Sequence, residues 1–278
     1  MTLEDKTTMP QIDTGTEDLL ASFDEGVLTL SMNRPDARNA LSRPMLQAMQ
    51  QQLVAAEFDP AVRCIVLTGT GKAFCAGGDV KAMASGAAAT RTIDEAIHQQ
   101  RHSQRETAGR LFKMPKPTLA VIPGAAAGAG LSLAMSCDLR LMSTSAFLTT
   151  AFAKVGFAGD YGGTYFMTQL IGAAKARELY MLSERVTADE ALRLGLANWT
   201  CEPEQLAERT RELAQRLAKG PAVAYRYMKE NLNRAMGGEV DECLDLEVTH
   251  HVHCAQTEDH KNAARAFVEK RDPVFNGR

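Results

Sequence analysis

The sequence predicts an α/β fold, in which short apolar strands alternate with helices. Apolar runs with the length of buried strands recur along the front part of the chain, with helical patterns between them. Two glycine-rich turns each follow a strand-like run and precede a helical one. Strands joined by helices in this way run parallel, with right-handed crossovers. The last part of the chain is predicted to be mostly helical.

The front part contains the strand signals. Apolar residues alternate or run on either side of a polar turn, which is typical of a β-hairpin. Ser42 is a good helix N-cap and Pro44 fits the first turn after it. In order, the predicted elements are a hairpin of residues 19–23 and 27–32, a turn at 33–36, a helix from Ser42 to about Phe58, a strand at 64–67, a helix at 93–113, and strands at 118–122, 138–142 and 147–150.

Beyond Gly162 the patterns are mainly helical. A capping box at residues 187–190 marks the start of one helix. The predicted helices cover residues 163–171, 173–183, 187–194, 203–219, 221–235 and 239–270. We therefore predict a loose tail at 1–17, an α/β core at 18–200 and a helical region at 201–278. Residues 82–92 are alanine-rich and are expected to be mobile.

Composition and charge exclude several classes of protein. The 278 residues are 45% hydrophobic and 23% charged, with a formal net charge of −3. This balance gives a nucleic-acid partner no electrostatic support. No apolar run reaches the roughly 18 residues that a membrane span needs. A globular protein without membrane or nucleic-acid partners is expected.

The six cysteines are scattered and form no CxxC pair. Buried free thiols in a reducing compartment are the expected state, which favours a cytoplasmic location. The histidines at 250, 251 and 253 lack the spacing of metal ligands, and we expect them at the surface or in subunit contacts. No metal site is predicted.

The two glycine-rich turns are the strongest candidates for function. The first is Phe74-Cys75-Ala76-Gly77-Gly78-Asp79 and the second covers residues 124–130. Small residues let a ligand approach the backbone, and a helix N-terminus presents unpaired N–H groups. Two such segments facing one point would form an oxyanion hole of main-chain donors. The alternative is that both are only tight turns between strand and helix.

The order and spacing of several motifs resemble the crotonase (enoyl-CoA hydratase/isomerase) superfamily over about residues 18–276. The matching segments are residues 33–41 (NRPDARNAL), residues 74–81, Lys116-Pro117, the glycine turn with residues 133–138, and residues 269–275. The resemblance implies a spiral of ββα turns followed by a helical trimerisation region, in trimers or hexamers. It also implies that an acyl-CoA thioester is bound by the N–H groups of Gly78 and Ala129.

The resemblance places the two glutamates of a hydratase at Ser132 and Phe152, and neither residue is an acid. Asp160 lies nearby, as in the 1,2-epoxyphenylacetyl-CoA isomerase branch, which implies a role as proton shuttle. Apolar neighbours, Phe152 and Phe157 among them, would raise its proton affinity and exclude water. The alternative for Asp160 is a helix N-cap.

The resemblance also implies a set of substrate-binding residues. Arg38 and Lys81 suit phosphates, although each could be an ordinary surface cation. Phe267 and Lys270 would contact the CoA of a neighbouring subunit, unless Phe267 belongs to the core. Asp79 is expected to cap a helix or brace the loop, and Asp138 is expected to have a bracing role. The substrate-binding candidates are Ala37, Arg38, Ala40, Ala76, Gly77, Asp79, Val80, Lys81, Gly128, Ser132, Phe152, Phe267 and Lys270.

We therefore expect an acyl-CoA isomerase that shifts a double bond or rearranges a ring-epoxide acyl-CoA, with Asp160 as its single acid and base. No cofactor is expected, because CoA enters with the substrate. The alternatives are a hydratase with an atypical site, a 4-chlorobenzoyl-CoA dehalogenase-like enzyme and a non-catalytic acyl-CoA binder. Dehalogenases of this superfamily need a histidine before the Lys-Pro pair, where this chain has Ala108-Gly109-Arg110.

Overall fold

A computed structural model describes residues 10–80 and 92–278 of the chain. Within these residues, two β-sheets form the core and helices cover them. The strands are β1 (Gln11–Ile12), β2 (Leu19–Asp24), β3 (Val27–Met32), β4 (Cys64–Gly69), β5 (Ala73–Cys75), β6 (Thr118–Ile122), β7 (Ala125–Ala127), β8 (Leu139–Ser143), β9 (Phe147–Thr149), β10 (Val186–Thr187) and β11 (Trp199–Cys201).

The helices of the described residues lie between and after the strands. None of them is both long and apolar enough to cross a membrane. They are α1 (Arg43–Phe58), α2 (Ile93–Gln104), α3 (Arg110–Lys113), α4 (Ala129–Ser136), α5 (Gly163–Leu182), α6 (Ala188–Leu194), α7 (Leu206–Ala218), α8 (Ala222–Ala235), α9 (Val240–Ala255) and α10 (Glu258–Val268), with short 3₁₀ turns at Pro35–Ala37, Phe152–Val155 and Pro203–Gln205.

The larger sheet has the strand order β1–β2–β3–β4–β6–β8–β11, and it is parallel from β3 onward. Successive side chains of β4 point to opposite faces. Ile65 and Leu67 pack with the helices on one face, and Val66 packs against Leu213 of α7 on the other. Because both faces are covered, the strand is apolar from Cys64 to Leu67, as in other parallel sheets.

The smaller sheet positions the glycine-rich segments. Its order is β10–β9–β7–β5, with β5, β7 and β9 parallel. Both β5 and β7 therefore end at the same edge, where residues 76–79 and 128–130 begin. This edge is where a ligand can reach the backbone of both segments.

Several predicted elements are confirmed. The hairpin forms between β2 and β3. Ser42 caps α1 by accepting the Met45 N–H at 3.2 Å, and Thr187 caps α6. The predicted division at residue 172 is present as a kink, because Gly172 has a φ of +76° inside α5.

Four predictions need correction. The single helix at 239–270 is two helices, because Thr257 caps a new one by accepting the His260 N–H. Residues 93–113 are helical, but residues 105–109 widen into a π-helical turn. His250, expected at the surface or in subunit contacts, is not at the surface of this chain, since it is 8% exposed and stacks on Tyr227. Residues 11–12, placed in the loose tail, pair with β2 because the hairpin edge offers free backbone groups. The predicted mobile stretch at 82–92 lies almost entirely outside the described residues.

A buried ion pair joins the C-terminal helices to the core. Lys229 of α8 is 7% exposed, and its Nζ donates to Asp138 Oδ2 at 2.8 Å and to the carbonyl oxygens of Leu111 and Lys116. The same carboxylate accepts the N–H and hydroxyl of Thr118. The predicted bracing role of Asp138 is confirmed.

Candidate active site

The two glycine-rich segments touch at the edge of the smaller sheet. A methyl carbon on Gly77 would lie 2.8 Å from the carbonyl oxygen of Ala127 and 3.3 Å from the nitrogen of Ala129. The φ of Gly77 is +89°, a backbone conformation that other residues rarely adopt. Glycine at this position therefore lets the two segments approach each other.

Each segment carries a main-chain N–H that the neighbouring strand or helix does not use. The Leu41 N–H donates to the carbonyl of Gly77 at 2.8 Å. Because the following peptide is trans, the N–H of Gly78 points away from Leu41. Ala129 is the first residue of α4, so its N–H has no acceptor within the helix. Neither N–H donates a hydrogen bond within the described part of the chain.

The loop at residues 34–41 lies alongside the first glycine segment. The Ala76 N–H donates to the carbonyl of Arg38 at 2.9 Å. The Arg34 guanidinium donates to the carbonyl of Ala40 at 2.8 Å and to Asp79 Oδ2 at 3.1 Å. Asp79 therefore braces this loop. Five of the predicted binding residues, Arg38, Ala40, Ala76, Gly77 and Asp79, meet here.

Four other predicted binding residues are half-buried or exposed, or lie outside the described residues, and a fifth lies on the last helix. Ala37 is half-buried, and Val80 is exposed at the end of the described segment. Lys81 lies outside the described residues. On the last helix, Phe267 is 86% exposed, so the alternative that it belongs to the core of this chain is wrong. Lys270 is also exposed.

The carboxyl group of Asp160 lies just before α5 and does not cap it. The N-cap residue of α5 is Gly162, and no side chain of the described residues accepts a hydrogen bond from the first turn of the helix. The N-cap alternative for Asp160 is therefore wrong. The Oδ1 atom of Asp160 is buried and has no hydrogen-bond partner in residues 10–80 and 92–278. Burial raises the pKa of this carboxyl to about 6.

The charge of Asp160 acts on Cys75, which belongs to the first glycine segment. The pKa of the Cys75 thiol is raised to about 12, mainly by burial. The hydrogen bond from the Gly77 N–H acts in the opposite direction, and the charge of Asp160 adds to the rise. Asp160 and the turn after Cys75 therefore share one region. Phe157, which we expected to exclude water from Asp160, is 55% exposed, because the turn that carries it lies at the surface.

Two buried side chains occupy the positions that the resemblance assigns to glutamates. Ser132 is 1% exposed, and its hydroxyl donates to the carbonyl of Gly128 at 3.2 Å. Phe152 is 6% exposed and stacks on Tyr180, with the ring centroids 5.8 Å apart. Neither side chain can act as a base near neutral pH.

Sequence reasoning missed Tyr180, a neighbour of this region. A methyl carbon on Gly163 would lie 2.2 Å from Ser132 Oγ and 2.4 Å from Tyr180 Oη, so both hydroxyls converge over that glycine. Burial, and then the charge of Asp160, raise the pKa of Tyr180. The tyrosine therefore stays protonated. No periodic pattern in α5 marks it, and only the fold brings it to Asp160.

Known proteins are similar to this chain over most of its length. A model of the family described as enoyl-CoA hydratase/isomerase matches residues 22–278. The chain is 32% identical over 268 residues to the 1,2-epoxyphenylacetyl-CoA isomerase of Escherichia coli, covering 94% of this chain and 99% of that protein. It is 34% identical over 246 residues to the short-chain-enoyl-CoA hydratase of Clostridium acetobutylicum, covering 88% and 92%.

The structure is also similar to a solved one. The crystal structure of an enoyl-CoA hydratase from Bacillus anthracis matches with a TM-score of 0.86 and 28% identity, covering 94% of this chain and all 100% of that chain. The predicted crotonase-like fold is therefore confirmed. The chain belongs to the enoyl-CoA hydratase/isomerase family of enzymes.

Proposed function

We propose that this enzyme isomerises an acyl-CoA thioester by a proton shift, with Asp160 as its single acid and base. The observation that carries the proposal is one carboxylate near the glycine segments whose Oδ1 is buried and has no hydrogen-bond partner among the described residues. The other two acid positions of the family hold Ser132 and Phe152. A single carboxylate can remove a proton at one carbon and return it at another.

The main-chain N–H groups of Gly78 and Ala129 are the proposed oxyanion hole. Removing a proton next to a thioester carbonyl moves negative charge onto the carbonyl oxygen. Two fixed donors that need no reorganisation would stabilise that charge in the transition state. Their lack of acceptors among the described residues supports this role.

For a 3-enoyl thioester, the proposed reaction has two steps. The Asp160 carboxylate takes a proton from C2, and the electron pair of the broken C–H bond passes into a dienolate whose charge rests on the thioester oxygen. Asp160 then returns the proton to C4, the C2–C3 double bond forms and the carbonyl is restored. No proton or electron is gained or lost overall. A ring-epoxide acyl group would use the same enolate.

The CoA part is proposed to bind beside the first glycine segment. The supporting observation is that residues 37–40 and 76–80 lie side by side, so that their backbones can line one channel. We propose Lys81 as a phosphate contact, together with Arg38, because cations suit phosphates. The reaction as proposed needs no cofactor.

Hydration is the competing reaction, and the Clostridium acetobutylicum relative bears a hydratase name. Adding water across a double bond needs a base that activates the water and an acid that delivers the second proton. Ser132 and Phe152 supply neither. Tyr180 adds a hydroxyl near Asp160, but its raised pKa keeps it from acting as a base.

A side-by-side assay tests the proposal. Purified enzyme is given a 3-enoyl-CoA in one reaction and a 2-enoyl-CoA in another. Conversion of the first to its 2-enoyl isomer supports the proposal. Formation of 3-hydroxyacyl-CoA from the second, without isomerisation of the first, would replace it with hydration by an unusual site. Tight CoA binding without turnover of either would favour the non-catalytic binder.

The pH dependence of kcat/KM should report the carboxyl of Asp160. Its raised pKa of about 6 means that the base form predominates only above that pH. We expect kcat/KM for the 3-enoyl substrate to fall about tenfold per pH unit below pH 6. An acid limb near pH 4, the ordinary range of an exposed aspartate, would contradict the proposed burial of the ionised group.

The C-terminal helices support the proposal that copies of this chain assemble. Along α9, Val240, Leu244, Val248 and Val252 recur every four residues, and each is more than half exposed. An apolar ladder of this kind is unusual on the surface of a monomer. We propose that a second copy covers it in a trimer or hexamer. Phe267 and Lys270 would then approach the CoA site of the neighbouring copy.

Replacing Leu244 with glutamate should separate the copies. A charge in the centre of an apolar interface is left unpaired and desolvated, so association weakens. Light scattering should show the wild type as a trimer or hexamer and Leu244→Glu as a smaller species. Thr249→Glu, on another face of the same exposed helix, is the matched control. A wild type that is monomeric at micromolar concentration would disprove the assembly.

A further inference from the structure

Among the described residues, no hydrogen bond holds the carboxylate of Asp160 in place. Its Oδ1 is buried without a partner there, and no side-chain cap ties it to α5. A group that takes and returns a proton benefits from this freedom. Its position must then come from the backbone that carries it.

Asp160 is the first residue of a tight turn. The Gly163 N–H donates to the carbonyl of Asp160 at 3.1 Å. Both central residues have positive φ, +49° at Tyr161 and +76° at Gly162. This is the pattern of a type I′ turn, whose first central position is usually Asn, Asp or Gly. A bulky tyrosine there is strained, and such a conformation persists only where the surroundings fix it.

The surroundings that fix Tyr161 come from α2. The Tyr161 N–H donates to Gln104 Oε1 at 3.0 Å, across 57 residues of chain. The tyrosine ring is 3% exposed, and its hydroxyl lies 3.4 Å from Ser103 Oγ. Consecutive residues of one helix therefore hold the side chain and the main chain of Tyr161.

Gln104 occupies a particular place in its helix. It is the last residue of α2, and the π-helical turn at Arg105–Gly109 begins directly after it. Turns of this kind inside helices are rare and frequently lie at functional sites. The amide oxygen of Gln104 is the only side-chain acceptor that the described residues offer to the backbone N–H next to Asp160.

We propose that Gln104 is a positioning residue for Asp160. By accepting the Tyr161 N–H, it holds the strained turn in the form that presents the carboxylate to the substrate. This inference rests on the proposed function, because it assumes that Asp160 carries the proton. Gln104 itself touches neither substrate nor proton.

Two substitutions at Gln104 test the inference. Gln104→Met keeps the length of the side chain and removes the acceptor. Gln104→Glu keeps an acceptor oxygen at the same place. Displacing a reacting group by about 1 Å can cost 100-fold in rate, so we expect kcat of Gln104→Met to fall about 10- to 100-fold. We expect KM to stay within about twofold, because the CoA contacts are untouched. Gln104→Glu should recover most of kcat at the plateau of its own pH profile.

The control is the same glutamine-to-methionine substitution at Gln50, a residue that contacts Ser103 instead of the turn. Gln50 Nε2 donates to Ser103 Oγ at 3.3 Å and does not reach the turn. If loosening of α2 were the cause, Gln50→Met would lower kcat as well; we expect it to retain kcat. Amide hydrogen exchange, which needs no substrate, should show faster exchange of the Tyr161 N–H in Gln104→Met alone.

The outcomes separate this inference from the proposed function. If Asp160→Asn keeps full turnover, the proposed function is wrong and the role of Gln104 falls with it. If Asp160→Asn loses turnover while Gln104→Met keeps it, only the inference about Gln104 is wrong. Unchanged exchange of the Tyr161 N–H in Gln104→Met would also overturn it. Loss of kcat with faster exchange and recovery by Gln104→Glu supports it.

Discussion

Replacing Asp160 with asparagine should abolish isomerisation of a 3-enoyl-CoA almost completely. Asparagine has nearly the same shape but can neither accept nor deliver the proton. Where one group performs both transfers, its removal should cost at least about 1,000-fold in kcat, within the range known for general acid–base catalysis. The measurement is single-substrate turnover of purified wild type and variant, followed at the pH plateau of the wild type.

The binding of substrate should be left intact by this change. The proposed oxyanion donors and CoA contacts are main-chain groups and side chains elsewhere, so KM should change little while kcat falls. Asp189→Asn, a surface change on α6, is the matched control and should leave kcat within about twofold. A variant at Asp160 that retained a tenth or more of wild-type turnover would exclude the single-carboxylate mechanism.

Loss of folding can be separated from loss of chemistry by the sign of the stability change. The folded pKa of Asp160 is raised to about 6, so the native state binds its proton more tightly than the unfolded chain does. The stability from that proton is present below about pH 4 and is lost as the pH rises through about 6. At pH 8, Asp160→Asn should therefore raise the free energy of unfolding, by about 1 kcal/mol after allowance for the partial exposure of the carboxyl.

An inactive variant that is at least as stable as the wild type would be difficult to explain by misfolding. Denaturant unfolding at pH 8 and again at pH 5 gives the comparison. The gain should shrink at the lower pH, because the wild-type carboxyl is then largely protonated. A gain that was equal at both pH values would mean that the burial of charge is not its cause.

Local signals in the sequence were sufficient for much of the fold. Ser42 and Thr187 could be recognised as caps because they bond within their own first turn. Gly172 could be recognised as a break because a positive φ interrupts a helix wherever it occurs. The division at Thr257 was missed, although Glu258 and Asp259 follow it as first-turn acids, since the apolar pattern runs through it. Here the cap, in which Thr257 accepts the His260 N–H, decided the boundary rather than the apolar pattern.

In the candidate site, too, some residues could be predicted from the sequence and others could not. The glycine segments were visible because close backbone approach demands glycine at fixed places in the chain. Asp160 was visible through a resemblance that compares positions one by one. Tyr180 and Gln104 were not visible, because each meets Asp160 or its turn only across a large sequence separation. Such contacts follow from the three-dimensional arrangement of α2, α4 and α5, which no periodicity specifies.

Replacing Ala129 with proline should remove one oxyanion donor and leave the helix in place. Ala129 is the first residue of α4, a position that tolerates proline because its N–H has no partner in the helix. The residue before it is Gly128, with φ +52° and ψ −126°. This is close to the mirror image of the polyproline conformation, which only glycine adopts readily before a proline. We expect kcat to fall about 100- to 1,000-fold, the usual effect of losing one such donor.

The matched control keeps the donor and changes the side chain. Ala129→Gly retains the N–H, and its main cost is backbone freedom, roughly 0.5–1 kcal/mol of stability. It should therefore keep kcat near the wild type. If proline and glycine at this position lowered kcat equally, the side chain or the packing of α4 would be responsible, and the N–H of Ala129 would have no part in the reaction. If only proline does so, an N–H that no acceptor in the described part of the chain takes is needed for the reaction, and stabilising charge on a bound thioester oxygen is the role that accounts for it.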